Sequence, residues 1–219
     1  MNVMLFGATG MVGQGVLREC LAASDVTRVL AVGRRAVGAT DPKFHDLVVP
    51  DLTNLDAVKD QLTGYDACIF TLGVSAAGKS EAEYSRLTYD LTLAIAQTLV
   101  ALNPRMTFIY VSGAGTDSTE SGRIMWARVK GRTENALLRL PFRAAYMFRP
   151  GIIVPMHGIK SSTKVYRIAY IVLTPFLPLL RRLFPESITT TEQIGRAMLQ
   201  VARAGHKNSL LEARDITKF

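Results

Sequence analysis

Four apolar residues, Val3-Met-Leu-Phe6, run straight into Gly7-Ala-Thr-Gly10-Met-Val-Gly13, and an amphipathic stretch, Val12–Ala23, follows. A strand that ends on glycines and restarts as a helix leaves few folds open. Glycine permits a tight turn and a close approach of backbone to ligand. The helix behind it aims unpaired N–H groups and a positive dipole end at whatever sits in the turn. A pyrophosphate suits both features. The spacing is GxxGxxG rather than GxGxxG, so Gly7, Thr9, Gly10, Met11, Val12 and Gly13 are the expected phosphate-side contacts. A bare glycine turn can be merely structural. This one opens the chain, follows a buried strand and is succeeded by five further elements of the same kind.

Those elements alternate. Strand candidates are Val3–Phe6, Arg28–Val32, Leu47–Val49, Ala67–Leu72, Thr107–Val111 and Ala144–Phe148, with Leu210–Ala213 as a final short one. Between them lie amphipathic segments at Leu55–Leu62, Glu81–Leu102 and Ile124–Leu140. Strands apolar on both faces, separated by helices, predict an α/β fold: a Rossmann-type, doubly wound parallel sheet with helices on both faces. Pro150-Gly151 closes the regular pattern, residues 152–190 are irregular, and Thr189 or Thr190 is the expected cap of a helix over Ile194–Ala204. The organisation expected is a nucleotide-binding domain over 1–151. Residues 152–219 add a small C-terminal cap or lid and a closing helix to the same compact unit.

In such a sheet the end of the second strand reads the adenosine ribose. A carboxylate there suits the 2′-hydroxyl of NAD(H); arginine suits the 2′-phosphate of NADP(H). The second strand here ends Val32-Gly-Arg34-Arg35, with no carboxylate at that position. Arginine offers a planar fork for phosphate, and two in succession repel each other unless an anion lies near. NADP(H) is therefore the cofactor expected, in preference to NAD(H). Asp51-Leu52, after the third strand, falls where the adenine is flanked. Thr71-Leu72-Gly73, after the fourth, falls where the backbone passes the nicotinamide ribose.

The chain of 219 residues is 48% hydrophobic and 20% charged, a globular balance. Its charge is uneven: residues 1–110 sum to −2 and residues 111–219 to +10, so the second half favours an anionic neighbour. Cys20 and Cys68 lack CxxC spacing and sit in apolar stretches, which reads as buried free thiols. The first residues lack the basic flank of a signal peptide, and the cytoplasm is the expected location. His45, His157 and His206 have no metal-ligand spacing, so no metal site is expected. No Gly-x-Ser-x-Gly elbow is present, and no nucleic-acid motif accompanies the basic half.

Taken together, Gly7-Ala-Thr-Gly-Met-Val-Gly13, Val32-Gly-Arg-Arg35, Tyr110-Val-Ser112, Val129-Lys130-Gly and Phe148-Arg-Pro-Gly151 resemble the atypical short-chain dehydrogenase/reductases. The likeness is to the NAD(P)-binding, epimerase/dehydratase-like branch that includes the Tat-interactive, oxidoreductase-like proteins. It runs over about residues 1–151. The resemblance implies that Ser112 and Lys130 are catalytic, that Lys130 also holds the nicotinamide ribose, and that Arg149, Pro150 and Gly151 contact the cofactor. In such enzymes a tyrosine four residues before the lysine exchanges a proton with the substrate oxygen, its pKa lowered by the ammonium. Here Trp126 holds that place, and an indole N–H donates a hydrogen bond without titrating in the useful range. Three readings follow. The substrate is protonated by Ser112, water or Lys130; a tyrosine from elsewhere, Tyr84 or Tyr89, reaches the site, Tyr110 being a poorer candidate deeper in the sheet; or the protein binds NADP(H) without turnover, as a redox sensor or regulatory scaffold.

Ile168–Leu180 is uncharged over thirteen residues, broken by Pro175 and Pro178 and flanked by Lys160, Lys164, Arg167, Arg181 and Arg182. It is too short to span a bilayer, which takes about twenty residues. It reads as an apolar lid over the cleft, or as a peripheral membrane or protein contact through residues 160–184. The function expected is an NADP(H)-dependent oxidoreductase acting on a small or apolar carbonyl or alcohol, with the non-catalytic sensor as the alternative. A homodimer is the default assembly.

Overall fold

The computed structural model describes residues 1–159 and 186–219. Seven strands form one parallel sheet: β1 (Asn2–Phe6), β2 (Arg28–Gly33), β3 (Phe44–Val48), β4 (Ala67–Phe70), β5 (Thr107–Val111), β6 (Ala144–Arg149) and β9 (Leu210–Glu212). They run in the order β3-β2-β1-β4-β5-β6-β9. Successive strands add to one side as far as β3. The chain then crosses β1 to lay β4 on its other flank, with Val3 opposite Ala67 and Phe6 opposite Phe70. That reversal leaves a crevice between the carboxyl ends of β1 and β4, where parallel sheets bind ligands.

Alternation along the strands divides the core between the two faces. Val3, Leu5, Val29, Ile69, Ile109 and Phe148 point to one side, beneath α1 (Met11–Ala22) and α5 (Thr191–Ala204). Met4, Phe6, Leu30, Cys68, Phe70, Phe108 and Tyr110 point to the other. They are covered by α3 (Leu91–Leu102), by Leu137 of α4 (Met125–Leu138), and by Leu55 and Leu62 around a 3₁₀ turn over Asp56–Leu62. Both cysteines are buried free thiols.

The remaining elements refine the expected pattern. The stretch read as one helix over residues 81–102 is α2 (Glu81–Ser85), a π-helical turn over Arg86–Asp90, and α3. The third strand begins at Phe44, three residues earlier than its apolar run suggests. A second, two-stranded parallel sheet joins β7 (Ile152–Val154) to β8 (Ile188–Thr190). Thr190 caps α5 in a reciprocal box with Gln193, and α6 (Ala213–Ile216) closes the chain. The apolar run Ile168–Leu180, and with it the lid or membrane surface expected over 160–184, lies outside the described residues. Among the described residues no helix is long and apolar enough to cross a membrane.

Candidate nucleotide site

Gly7 follows β1 with φ +85°, a left-handed conformation that glycine adopts without strain. Space is short there too: a Cβ on Gly7 would lie 2.7 Å from Thr71 Oγ1 and 2.8 Å from Leu72 N. Thr71 Oγ1 in turn donates to Phe6 O at 2.8 Å, binding the β4 end to the β1 end. The Gly10 N–H donates to Gly7 O at 2.9 Å, closing the turn. A Cβ on Gly13 would stand 2.1 Å from Gly7 O, so the first turn of α1 presses on the loop.

Gly10 is the N-cap of α1 and has no side chain with which to cap the helix end. Its first turn, Met11, Val12 and Gly13, carries no acid either. Among the described residues the positive end of this helix thus faces the crevice without an acidic side chain in its first turn. A cleft of about 270 Å³ opens beside it, walled by Gly7, Ala8 and Thr9 of the loop, by Ala31 to Arg35 and Val37 at the end of β2, and by Leu52 and Leu72. Arg34 and Arg35 are exposed on that wall, and among the described residues neither has an ion-pair partner. Asp46, the nearest strand carboxylate in sequence, is occupied by the Val37 and Gly38 N–H groups at 2.9 Å each. Asp51 accepts from Thr53 N at 2.9 Å and Thr53 Oγ1 at 2.6 Å, and the threonine hydroxyl holds its carboxyl below the usual range. Gly73 is exposed beyond Leu72.

A dinucleotide fits what is built here. The glycine cradle would be filled by any Cβ, the donors are backbone N–H groups at a helix start, and the flanking cations have no counter-charge among the described residues. Gly7, Thr9, Arg34, Arg35, Leu52 and Leu72 come together from four separate strand ends, and Gly10, Met11, Val12 and Gly13 stand behind them.

The residues expected to act on a substrate sit one strand further on, and their partners differ from expectation. Ser112 follows β5, its N–H bonded to Phe148 O at 2.9 Å. Its Oγ lies 2.5 Å from Glu134 Oε1 and 3.2 Å from Phe148 O. Lys130, one turn before Glu134 on α4, donates to Val111 O at 3.3 Å and lies 5.4 Å from the Tyr110 ring centre. Burial pulls the Lys130 ammonium down to about 8, against the opposing pull of Glu134. Trp126, half-buried, packs the edge of its ring near Gly115 in the loop between β5 and α4.

Arg149 is drawn out of the cofactor group by a buried partner. Its guanidinium pairs with Glu134, and extends to Glu212 Oε1 at 3.0 Å and Ser118 Oγ at 2.5 Å. Pro150 O accepts from Ala114 N at 2.9 Å, and Gly151 leads into β7. The two tyrosines that sequence offered as substitutes are also placed. Tyr84 is buried, and burial pushes Tyr110 far up, with Tyr84 a further cause in the same direction. Tyr89 stacks on Arg132, 4.0 Å from ring centre to guanidinium carbon.

Glu134 is the residue sequence reasoning missed. The signal was there: positions 126, 130 and 134 recur every four residues on one face of α4. A carboxylate on a helix face that covers a sheet needs a buried partner.

A family model described as NAD(P)H-binding matches residues 7–138. The chain is 28% identical over 160 residues to "Protein fmp52-2, mitochondrial" of Aspergillus oryzae, covering 72% of this chain and 69% of that protein. It is 26% identical over 155 residues to protein HTATIP2 of Rattus norvegicus, covering 70% and 63%. The match thus spans about two thirds of these relatives' length. Among solved structures, an oxidoreductase of the short-chain dehydrogenase/reductase family from Burkholderia thailandensis superposes with a TM-score of 0.71 at 19% identity, over 98% of this chain and 91% of that one. The Bordetella bronchiseptica enzyme WbmF in complex with NAD⁺ gives 0.67 at 13% identity, over 99% and 76%. At those identities the structures establish the fold alone.

Proposed function

Because the chain belongs to the NAD(P)H-binding family, on its atypical short-chain dehydrogenase/reductase branch, we propose that it binds NADP(H) in preference to NAD(H) and acts as an oxidoreductase on a small or apolar carbonyl or alcohol. The observation that carries the cofactor choice is the cleft wall: Arg34 and Arg35 stand with the glycine loop, and among the described residues no carboxylate lines the cleft. The α1 N–H groups serve the pyrophosphate, and the paired guanidiniums serve a 2′-phosphate. NADPH bound there would supply a hydride. The chain's own share is Lys130, an ammonium softened by burial to a value at which it can both hold and release a proton near neutrality.

Calorimetry with NADPH and NADH tests the choice. The wild type is expected to favour NADPH, and Arg34→Ala/Arg35→Ala is expected to lose on the order of a hundredfold in NADPH affinity with little change for NADH, since charge-assisted bonds are worth about 1.5–3 kcal/mol each. A double variant that still favours NADPH would overturn the assignment. Gly10→Asp, which sets a carboxylate at the helix start, is expected to abolish binding of both.

A second reading, a non-catalytic NADP(H) sensor, is favoured by one observation: Trp126 stands in the tyrosine position while the Ser112 hydroxyl is engaged by Glu134. NADPH oxidation across a carbonyl panel separates the two. Activity lost in Lys130→Ala supports the enzyme; silence with tight NADPH binding supports the sensor. The cytoplasmic location stands beside relatives named mitochondrial, and fractionation of a tagged chain decides between those compartments.

A further inference from the structure

Among the described residues Glu134 is the one acidic side chain with no exposed surface. Its Oε1 receives Ser112 Oγ at 2.5 Å and Arg149 Nε at 3.0 Å, and its Oε2 receives the second Arg149 nitrogen. Arg149 ties the group onward to Glu212 on β9 and Ser118 in the loop before α4. A carboxylate so deeply held by a guanidinium is ionised, because protonation would strand the arginine.

Ionised, Glu134 can only accept. A serine hydroxyl has a single proton, and the two acceptors near Ser112 Oγ are unequal. The carboxylate is nearer and charged; Phe148 O is 3.2 Å away and already accepts the Ser112 N–H. The proton therefore goes to Glu134, and Ser112 is left with lone pairs for anything approaching from outside.

Lys130 is the second group that Glu134 governs. It stands one turn away on the same helix face, and among the described residues its other neighbours offer it no counter-charge. Tyr110 on β5 is kept neutral by burial, Tyr84 on α2 lies beside Tyr110, and Arg149 and Glu212 balance each other against Glu134.

We propose that Glu134 is the positioning residue of this site: its buried carboxylate fixes Ser112 as a hydrogen-bond acceptor toward the ligand and supplies the negative charge against which Lys130 sits. This rests on the reading of Ser112 and Lys130 as site residues. It also restricts what can dock. The ligand atom that meets Ser112 is a donor, a hydroxyl or an amide N–H, and a carbonyl oxygen finds its donor in Lys130.

NMR titration of the full chain, cofactor-free and labelled with ε-¹⁵N-lysine, tests the proposal, with Lys130→Arg assigning the signal. The wild-type Lys130 resonance is expected to titrate near 8; an ordinary lysine midpoint overturns the arrangement. In Glu134→Gln the midpoint is expected to fall by roughly one unit. A Glu134 that served structure alone would lower stability and leave the midpoint unmoved, which also overturns it. Where Glu134→Gln does not fold, Glu134→Gln/Arg149→Met removes the stranded guanidinium and carries the same readout. NADPH takes no part in these titrations, so a failed cofactor assignment and a failed role for Glu134 give different results.

Discussion

At position 126 an indole stands four residues before Lys130, half-buried against the loop that carries Gly115. A phenol is smaller than an indole, so Trp126→Tyr meets no steric barrier there. It places a titratable hydroxyl one turn from an ammonium whose value is about 8. The expected outcome is a gain: NADPH-linked reduction across a carbonyl panel rises by about 10²–10⁴ over the wild type, the usual worth of a positioned acid–base group. No rise, with NADPH affinity intact, would mean that Lys130 and Ser112 do not face a reacting atom. The same scale explains what was legible in the site. The glycine loop and Arg34-Arg35 are contiguous residues whose setting is fixed by one strand and one helix, so their meeting in a single cleft could be read from sequence. Arg149 could not be read in this way. Its backbone lies where expected, at the end of β6, but its side chain answers to Glu134, fifteen residues away on another element. Pairing of that kind depends on how α4 lies on the sheet, and local pattern does not encode it.

Helix α1 packs against α5 with almost no space between their backbones. A Cβ on Gly15 would lie 2.6 Å from Thr191 O, and one on Gly195 would lie 2.8 Å from Glu19 Cγ. Alanine is the better helix former by about 1 kcal/mol, but here it must push the start of α5 off α1. Gly15→Ala is therefore expected to destabilise the fold by a net of about 1–3 kcal/mol, the usual cost of overpacking, measured by urea denaturation. Gly73→Ala, where an added Cβ meets nothing within 4 Å, is the control and is expected to be neutral. Thr190→Ala removes the α5 capping box and is expected to cost about 1 kcal/mol. Most elements could be read from apolar periodicity, and the α5 cap as Thr189 or Thr190, of which the structure uses Thr190. The exceptions have physical causes. Phe44 joins the core, but His45 and Asp46 interrupt the apolar run because β3 is an edge strand, with Asp46 spent on the Val37 and Gly38 N–H groups. The pairing of β7 with β8 joins residues 152–154 to 188–190, a contact at long separation that three-residue strands do not announce.

Over the whole molecule the sheet takes its core from both faces, and Lys130, half-buried, sits against that packing at the carboxyl edge with its ammonium bonded to Val111 O. Burial lowers Lys130 to about 8 from an ordinary 10.5, which couples proton binding at this one residue to the stability of the entire chain. The unfolded chain then binds that proton more tightly than the native one does. Between about pH 8 and 10.5 the unfolded state carries more protons, so the Lys130 contribution makes stability rise with pH. Below pH 8 both states are protonated, and the cost of enclosing the charge is present in full. Replacing Lys130 with methionine, similar in length and uncharged, removes that cost, while Glu134 keeps its pairing with Arg149. Lys130→Met is therefore expected to be more stable than the wild type at pH 7, with the gap closing as pH is raised toward 10.5. Urea midpoints for the two proteins at pH 7, 8, 9 and 10 measure it. A gap that stays constant across the series would mean that the ammonium is solvated, and that the methionine acts through packing alone.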